Sequence, residues 1–213
     1  MRNKRFRLIV AIFVIFYLAG CTTSKDSTRY YLLSPISLTD LPNQHLKQSE
    51  KKQTISLRLN RFPAYLDRPQ IVTHHSANQL ELAEYDRWAE PLKDNFSRVL
   101  TQDIGRLLPG HKILQLPQRL TPLAVDYQIE LDIIRFDIDE FNKGRLIAQW
   151  TIRQPNNSGA FIAKVSDITI TVENSGYDNK VSTLNTAIFQ LSEKMTQALQ
   201  WINDSSTLNE TSQ

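Results

Sequence analysis

The chain has 213 residues, 41% of them hydrophobic, with six glycines and a single cysteine. That is enough apolar material for one domain with its own core, while an intrachain disulfide and a cysteine-based metal or redox centre are excluded by counting. The formal charge of +3 is a property of the amino terminus: residues 1–20 hold four of the 25 Lys and Arg and none of the 22 Asp and Glu, so the remainder carries 21 against 22 and gives no basic balance that would call for nucleic acid.

Arg2, Lys4, Arg5 and Arg7 precede the apolar run Leu8 to Leu18, which ends in Leu18-Ala19-Gly20-Cys21. A charged start, a short hydrophobic segment and small residues are the pattern of a signal peptide, here residues 1–20. Leu8 to Cys21 covers 14 residues, short of the roughly 20 that span a bilayer. Leu18-Ala19-Gly20-Cys21 resembles the lipobox of bacterial lipoproteins, which implies cleavage before Cys21 and its acylation with N-acyl (palmitate-like) and diacylglycerol chains. Several chains on one residue give effectively permanent anchoring. Thr22 stands where an aspartate would signal retention in the inner membrane, so the expected site is the periplasmic face of the outer membrane. Residues 21–29 form a tether, and Thr22 to Thr28 reach at most about 25 Å.

A domain over residues 30–203 follows. Tyr30 to Pro35 reads as a first strand, and Thr39 to Gln53 as an exposed polar loop. Ile55, Leu57 and Leu59 alternate with polar residues and predict a half-buried strand. Pro63, Pro69 and Pro91 then punctuate the stretch Arg61 to Leu92. Within it a hairpin is predicted over Gln70 to Tyr85, with Asn78 near the turn. A helix is predicted from Glu90 to Leu107, stopped by Pro109-Gly110. Lys112 to Leu116 is a short strand. Val125 to Ile133 alternates clearly, and its parity shifts at Ile133-Ile134, which predicts a β-bulge. Strands follow over Arg145–Arg153 and Ala160–Val172, joined by a turn at Asn156-Asn157-Ser158-Gly159, and the second again shows a parity change. Val181, Leu184, Ile188, Leu191, Met195, Ala198 and Ile202 predict a long helix from about Asp178 to Ile202, laid on the sheet because Phe189, Leu199 and Trp201 widen its stripe, with a coiled-coil seam for a partner as the alternative; residues 204–213 read as a polar tail. The expected fold is α+β: a single two-layer domain with a mainly antiparallel, twisted sheet and two long helices.

No catalytic set is evident. There is no G-x-S-x-G elbow, P-loop, dinucleotide G-x-G-x-x-G or H-E-x-x-H, and an enzyme is not expected. Adjacent His74 and His75 point to opposite faces of a strand and read as solvated turn histidines, so no metal is expected. Asp126, Glu130, Asp132, Asp137, Asp139 and Glu140 read as the water-facing side of a sheet. Trp88 and Trp201 are assigned to core packing, with interface anchoring as the alternative.

Taken together, Cys21, Tyr30-Tyr31-Leu32-Leu33, the turn Pro63 to Val72 and Arg87-Trp88-Ala89-Glu90-Pro91-Leu92 resemble the ABC-type transport auxiliary lipoproteins of the PqiC type, over Tyr30 to about Ile202. The resemblance implies a non-enzymatic component of a Gram-negative intermembrane lipid transport system, partnered by an MCE-domain protein of the PqiB kind and by outer-membrane lipids. It also implies homo-oligomeric ring assembly and a role in envelope integrity. No cofactor is implied beyond the lipid on Cys21. The candidate contact residues are Tyr65, Leu66, Asp67, Arg68, Pro69, Gln70, Trp88 and Glu90. For Asp67 and Arg68 two readings stand: contacts to a partner or sister subunit, or an internal pair that fixes the turn. Competing classes are a lipid-anchored assembly factor or lipid-binding module acting without an MCE protein, and an envelope hydrolase. A lipid carrier would need a large apolar cavity.

Overall fold

The structure is a computed structural model and describes residues 27–41, 52–116, 124–155 and 157–210. The expected signal peptide and the lipobox-like segment with Cys21 lie outside them, as does most of the expected Thr39 to Gln53 loop.

Eight strands form a single mixed sheet with two α-helices. In chain order they are β1 (Arg29–Tyr31), β2 (Thr54–Arg61), β3 (Gln70–Ser76), β4 (Gln79–Trp88), α1 (Leu92–Leu107), β5 (Lys112–Leu116), β6 (Tyr127–Ile138), β7 (Lys143–Gln154), β8 (Asn157–Thr171) and α2 (Tyr177–Glu210). The long antiparallel ladders β6–β7 and β7–β8 are the backbone of the sheet. On the other side of β6 two strands share one edge. β2 runs parallel to its first half from Ile55 opposite Tyr127, while β3 joins its far end at Thr73 opposite Ile138. β5 extends the sheet beyond β2; β4 and then β1 extend it beyond β3. The chain between β2 and β3, including the 3-10 turn Ala64–Leu66, therefore sits in a fork of the sheet.

The predicted bulge is present: the β6–β7 register slips between Ile133 and Arg135, leaving Ile134 exposed. Before the slip Tyr127, Ile129, Leu131 and Ile133 face the helices; after it Phe136 and Ile138 do. In β8, by contrast, the register against β7 is continuous from Thr171 back to Phe161, so the expected parity change does not occur. The inner row of β8 contains Ser166, which accepts a hydrogen bond from buried Trp150 Nε1 at 2.9 Å. A buried indole N–H needs such an acceptor, and this polar inner residue is what made the pattern seem to flip. Val165 consequently lies on the outer face, 64% exposed. The β7–β8 turn also closes earlier than expected, with Asn157 already in β8 opposite Gln154.

The inner face is filled. Phe96 of α1 meets Phe62 at 5.6 Å and Phe136 at 5.0 Å between ring centroids, both edge-on, an arrangement that aromatic quadrupoles favour. All seven seam residues of α2 are buried against α1 and the sheet within this chain, so the stripe serves its own domain. Gly144 permits the close approach of α2, since a Cβ there would lie 2.6 Å from Thr183 Cγ2. Trp201 departs from the expectation of core packing: it is 64% exposed, because Ala198, Leu199 and Ile202 already define the buried side of this turn. The helix also continues past Ile202 to Glu210, where a polar tail was expected. No glycine or proline interrupts the sequence there, and polar residues can extend a helix that packing has already nucleated.

The first strand is shorter than the sequence predicts. After Tyr31 the chain leaves the sheet and crosses the helices, where side chains replace a strand partner. Asn95 of α1 accepts from Leu33 N at 2.7 Å and donates to Leu33 O at 3.2 Å. Asn185 of α2 accepts from Ser34 N at 3.1 Å, and Asp103 Oδ1 accepts from Ile36 N at 2.9 Å. This strap satisfies backbone groups that would otherwise be lost to burial.

Candidate functional site

The eight residues singled out from the sequence divide into two sets. Leu66 is buried in the core, and Tyr65 is half-buried. The Tyr65 hydroxyl donates to Asp137 Oδ2 at 2.5 Å. On the same oxygen, His74 Nε2 lies at 3.2 Å, while Arg135 Nε donates to Oδ1 at 2.8 Å. Asp137 thus has a fully buried side chain surrounded by three partners, the condition under which burying a carboxyl group is tolerable. Burial and the hydrogen bond to Asp137 push the Tyr65 phenol well above its usual range. Phe62, three residues earlier, packs in the aromatic core against Phe136. Since Phe136 and Asp137 are successive residues of one strand, the turn is held on both faces of β6.

Two sequence expectations are corrected here. Asp137 is not on the water-facing side, because Tyr65 and His74 cover it; Asp139 is also buried and caps the β6–β7 turn, accepting from Phe141 N at 3.0 Å and Lys143 N at 2.8 Å. Glu130 and Asp132 do lie on the outer face, opposite Arg153 and Arg61. His74 is not a solvated turn histidine, whereas His75 is exposed on the other face of β3.

The second set, Gln70 excepted, forms a cleft. Asp67, Arg68 and Pro69 on one side face Trp88, Ala89, Glu90 and Pro91 on the other, enclosing about 350 Å³. Backbone geometry fixes the two walls. Trp88 N donates to Pro69 O at 2.7 Å, which clamps the end of β4 to the start of β3. Arg68 N donates to Leu66 O at 2.8 Å within the turn, and Ala89 N donates to Tyr31 O at 2.9 Å. Pro91 then serves as the N-cap of α1, where a missing N–H costs nothing. The indole of Trp88, only 5% exposed, backs the cleft. Gln70 is half-buried at the first position of β3, opposite Arg87.

The rim carries the charge. Glu90 accepts a hydrogen bond from Arg98 Nη2 of α1. Among the described residues, Asp67 and Arg68 form no ion pair with each other or with a third side chain, and both are exposed. Their internal pairing is therefore not what fixes the turn. That task falls to Tyr65, Leu66 and the backbone bonds. The cleft is thus a rigid pair of Pro-bounded walls over a tryptophan, with exposed charges of both signs at its mouth.

The sequence matches the ABC-type transport auxiliary lipoprotein component family over residues 31–196. The chain belongs to that family. Every element of the cleft lies inside the matched span. Two solved structures share the fold. One is an uncharacterised protein, 19% identical with a TM-score of 0.64, which covers 82% of this chain and 99% of its own. The other is a Xanthomonas campestris protein of family DUF330, 10% identical with a TM-score of 0.67, covering 85% of this chain and 99% of its own. No curated protein matches the chain significantly. Among the described residues no helix is long and apolar enough to cross a membrane, and no group of three or more His, Cys, Asp or Glu is placed to hold a metal ion.

Sequence reasoning assigned Asp67 to Gln70, Trp88 and Glu90 but missed Asp137, His74 and Arg135 as the support behind them. No local signal could have found these, since they come from β3 and the far end of β6. The participation of Ala89 and Pro91 was legible as part of the Arg87 to Leu92 motif.

Proposed function

We propose that this transport auxiliary lipoprotein is anchored in the outer membrane through lipidated Cys21. Its domain receives an MCE-type transport protein on the periplasmic side, docking the transport tube and so supporting lipid exchange and envelope integrity. The domain acts as a binding module, not as an enzyme. The observation that carries this reading is the cleft: the two family-like motifs, Pro63 to Val72 and Arg87 to Leu92, converge on one rigid and partly apolar recess with exposed Asp67 and Arg68. A Pro-flanked recess with a tryptophan floor suits an apolar side chain of a partner segment, and the exposed rim charges set its orientation. The packed inner face, with Trp150, Tyr127, Phe96 and Phe136 fully buried, favours docking over carriage of a lipid inside the domain.

Arg68→Glu, combined with in-cell cross-linking from a photo-reactive residue at position 67, tests this. The expected result is an adduct with an MCE protein that the Arg68→Glu change reduces at least several-fold, with thermal stability unchanged. Recovery of only an outer-membrane barrel would replace the transport reading with that of an assembly factor. Adducts only between copies of this chain would assign the cleft to a homo-oligomeric ring.

A further inference from the structure

The architecture fixes which end of the domain meets the lipid anchor. β1 runs parallel to β4 with Arg29 beside Asp86, so the chain upstream of Arg29 leaves the sheet towards the β3–β4 turn at Ala77-Asn78. From Asp86 back to Gln79 is seven residues of β4, about 23 Å of strand. From Arg29 back to Cys21 is eight residues, a reach of about 27 Å at full extension. The tether is therefore no more than a few ångströms longer than the part of the hairpin it must pass.

A second turn projects at the same end. β3 and β6 are parallel through Thr73 and Ile138, so the Asp139–Asn142 connection between β6 and β7 leaves the sheet in the same direction as the hairpin. At its tip Phe141 is 72% exposed. The backbone beneath the ring is pinned: Asp139 Oδ1 accepts from both Phe141 N and Lys143 N, and Asn142 adopts a left-handed conformation with φ 56°, which asparagine tolerates better than most residues. Leu80 and Leu82, at the start of β4, are exposed as well. Three exposed large apolar side chains at the end where the lipid anchor would lie point to an apolar or interfacial environment for that end.

We propose that the end formed by the Ala77-Asn78 and Asp139–Asn142 turns is a lipid-contacting surface, with Phe141 entering the interfacial layer of the bilayer that holds the Cys21 acyl chains and Leu80 and Leu82 beside it. This rests on Cys21 being the lipidation site. An anchor that short draws the two turns onto the membrane, and an aromatic ring at headgroup depth gains burial there without spanning. The contact also sets the position of the docking cleft. Trp88 is nine residues from Gln79 along β4, so the cleft lies about 30 Å from the hairpin tip, at the end of the strand remote from the bilayer.

The test uses the full lipidated chain in vesicles of phosphatidylethanolamine and phosphatidylglycerol, with Phe141→Cys or Val165→Cys carrying an environment-sensitive fluorophore. Cys21 is the only native cysteine, and its thiol is consumed by the diacylglycerol linkage, so labelling is confined to the introduced residue. Val165 is exposed on the outer face of β8, six residues from the Thr171 end of that strand. A probe at 141 is expected to shift to the blue and to be quenched several-fold more than one at 165 by bromine placed on the acyl chains. A water-like probe at 141 in chains that float with the vesicles overturns the lipid contact and leaves the anchor intact. Shielding at 141 without acyl-chain quenching assigns the surface to protein and also overturns it. Failure of the chain to float removes the anchor at Cys21 and the proposal with it.

Discussion

Asp103 offers the sharpest test of the energetics, because it is a fully buried carboxyl group with half of its bonding capacity unused. It sits on α1, 0% exposed, where Oδ1 accepts from Ile36 N at 2.9 Å while Oδ2 has no hydrogen-bond partner among the described residues. Burial raises its pKa to about 6, outweighing the hydrogen bond from Ile36 and the charge of Arg106, both of which pull it down. An unfolded aspartate titrates near 3.9. A folded-state pKa above the unfolded value means that the folded chain holds its proton over a wider range. The associated stability is fully present below about pH 4 and is lost as pH rises through about 6. Two pK units correspond to about 3 kcal/mol, which is the cost carried at neutral pH. In Asp103→Asn the amide oxygen keeps the Ile36 bond and no charge is buried. The new NH2 group lacks an acceptor, which takes back about 1 kcal/mol. The variant should therefore be more stable by about 1–2 kcal/mol at pH 7.5, a rise of about 3–6 °C in Tm for a domain of this size, and should show little or no gain at pH 4.5. Denaturant titrations of both proteins at several pH values measure this directly. A variant that is less stable at pH 7.5, or whose difference from the parent does not change with pH, would refute a strained, buried Asp103.

The support behind the cleft yields a second prediction: Tyr65→Phe removes the donor to buried Asp137 and should cost about 1–3 kcal/mol in chemical denaturation, whereas Arg68→Glu should stay within about 0.5 kcal/mol. Gly144→Ala places a methyl group against Thr183 Cγ2 and should cost about 1–3 kcal/mol through overpacking; Thr183→Ser, which deletes that methyl, should restore much of the loss in the double variant, and additive effects would count against the contact. At the start of β1, Arg29 donates to both oxygens of Asp86 at 2.7 and 2.8 Å and Tyr31 adds a third bond at 2.8 Å. The Arg29 bond holds the Asp86 carboxyl below its usual range, so its contribution is present above about pH 4 and is lost as pH falls through the lower folded value. Asp86→Asn should therefore be destabilised at pH 7, and the gap to the parent should close in strong acid; a gap that persists at low pH would show that packing, not the ion pair, holds β1 to β4.

Much of the domain follows from short-range sequence. Alternation located β2, β6 and β7, the Ile133-Ile134 slip marked the bulge, and Pro109-Gly110 marked the end of α1, because these features depend on neighbours one to four residues apart. The misreadings share one cause. Ser166 and Val165 looked like a change of face only because the partner that makes a buried serine favourable, the Trp150 indole, lies 16 residues away on another strand. Tyr30 to Pro35 looked like one strand because nothing local reveals that Asn95, Asn185 and Asp103 would draw its second half off the sheet.

The same division runs through the functional residues. The sequence by itself determined the family, the order of the two motifs and the candidate acylation site at Cys21, since these are properties of residue identity and spacing. The tertiary structure alone decided that Tyr65 and Leu66 point inward while Asp67 and Arg68 stay exposed. It also decided that Asp137 is buried, and that Asp67 to Pro69 and Trp88 to Pro91 face each other across one cleft. Those outcomes depend on the fork in the sheet, where β2 and β3 share an edge of β6 and the turn between them must reach both faces, and no pattern of local periodicity encodes which strands will share an edge.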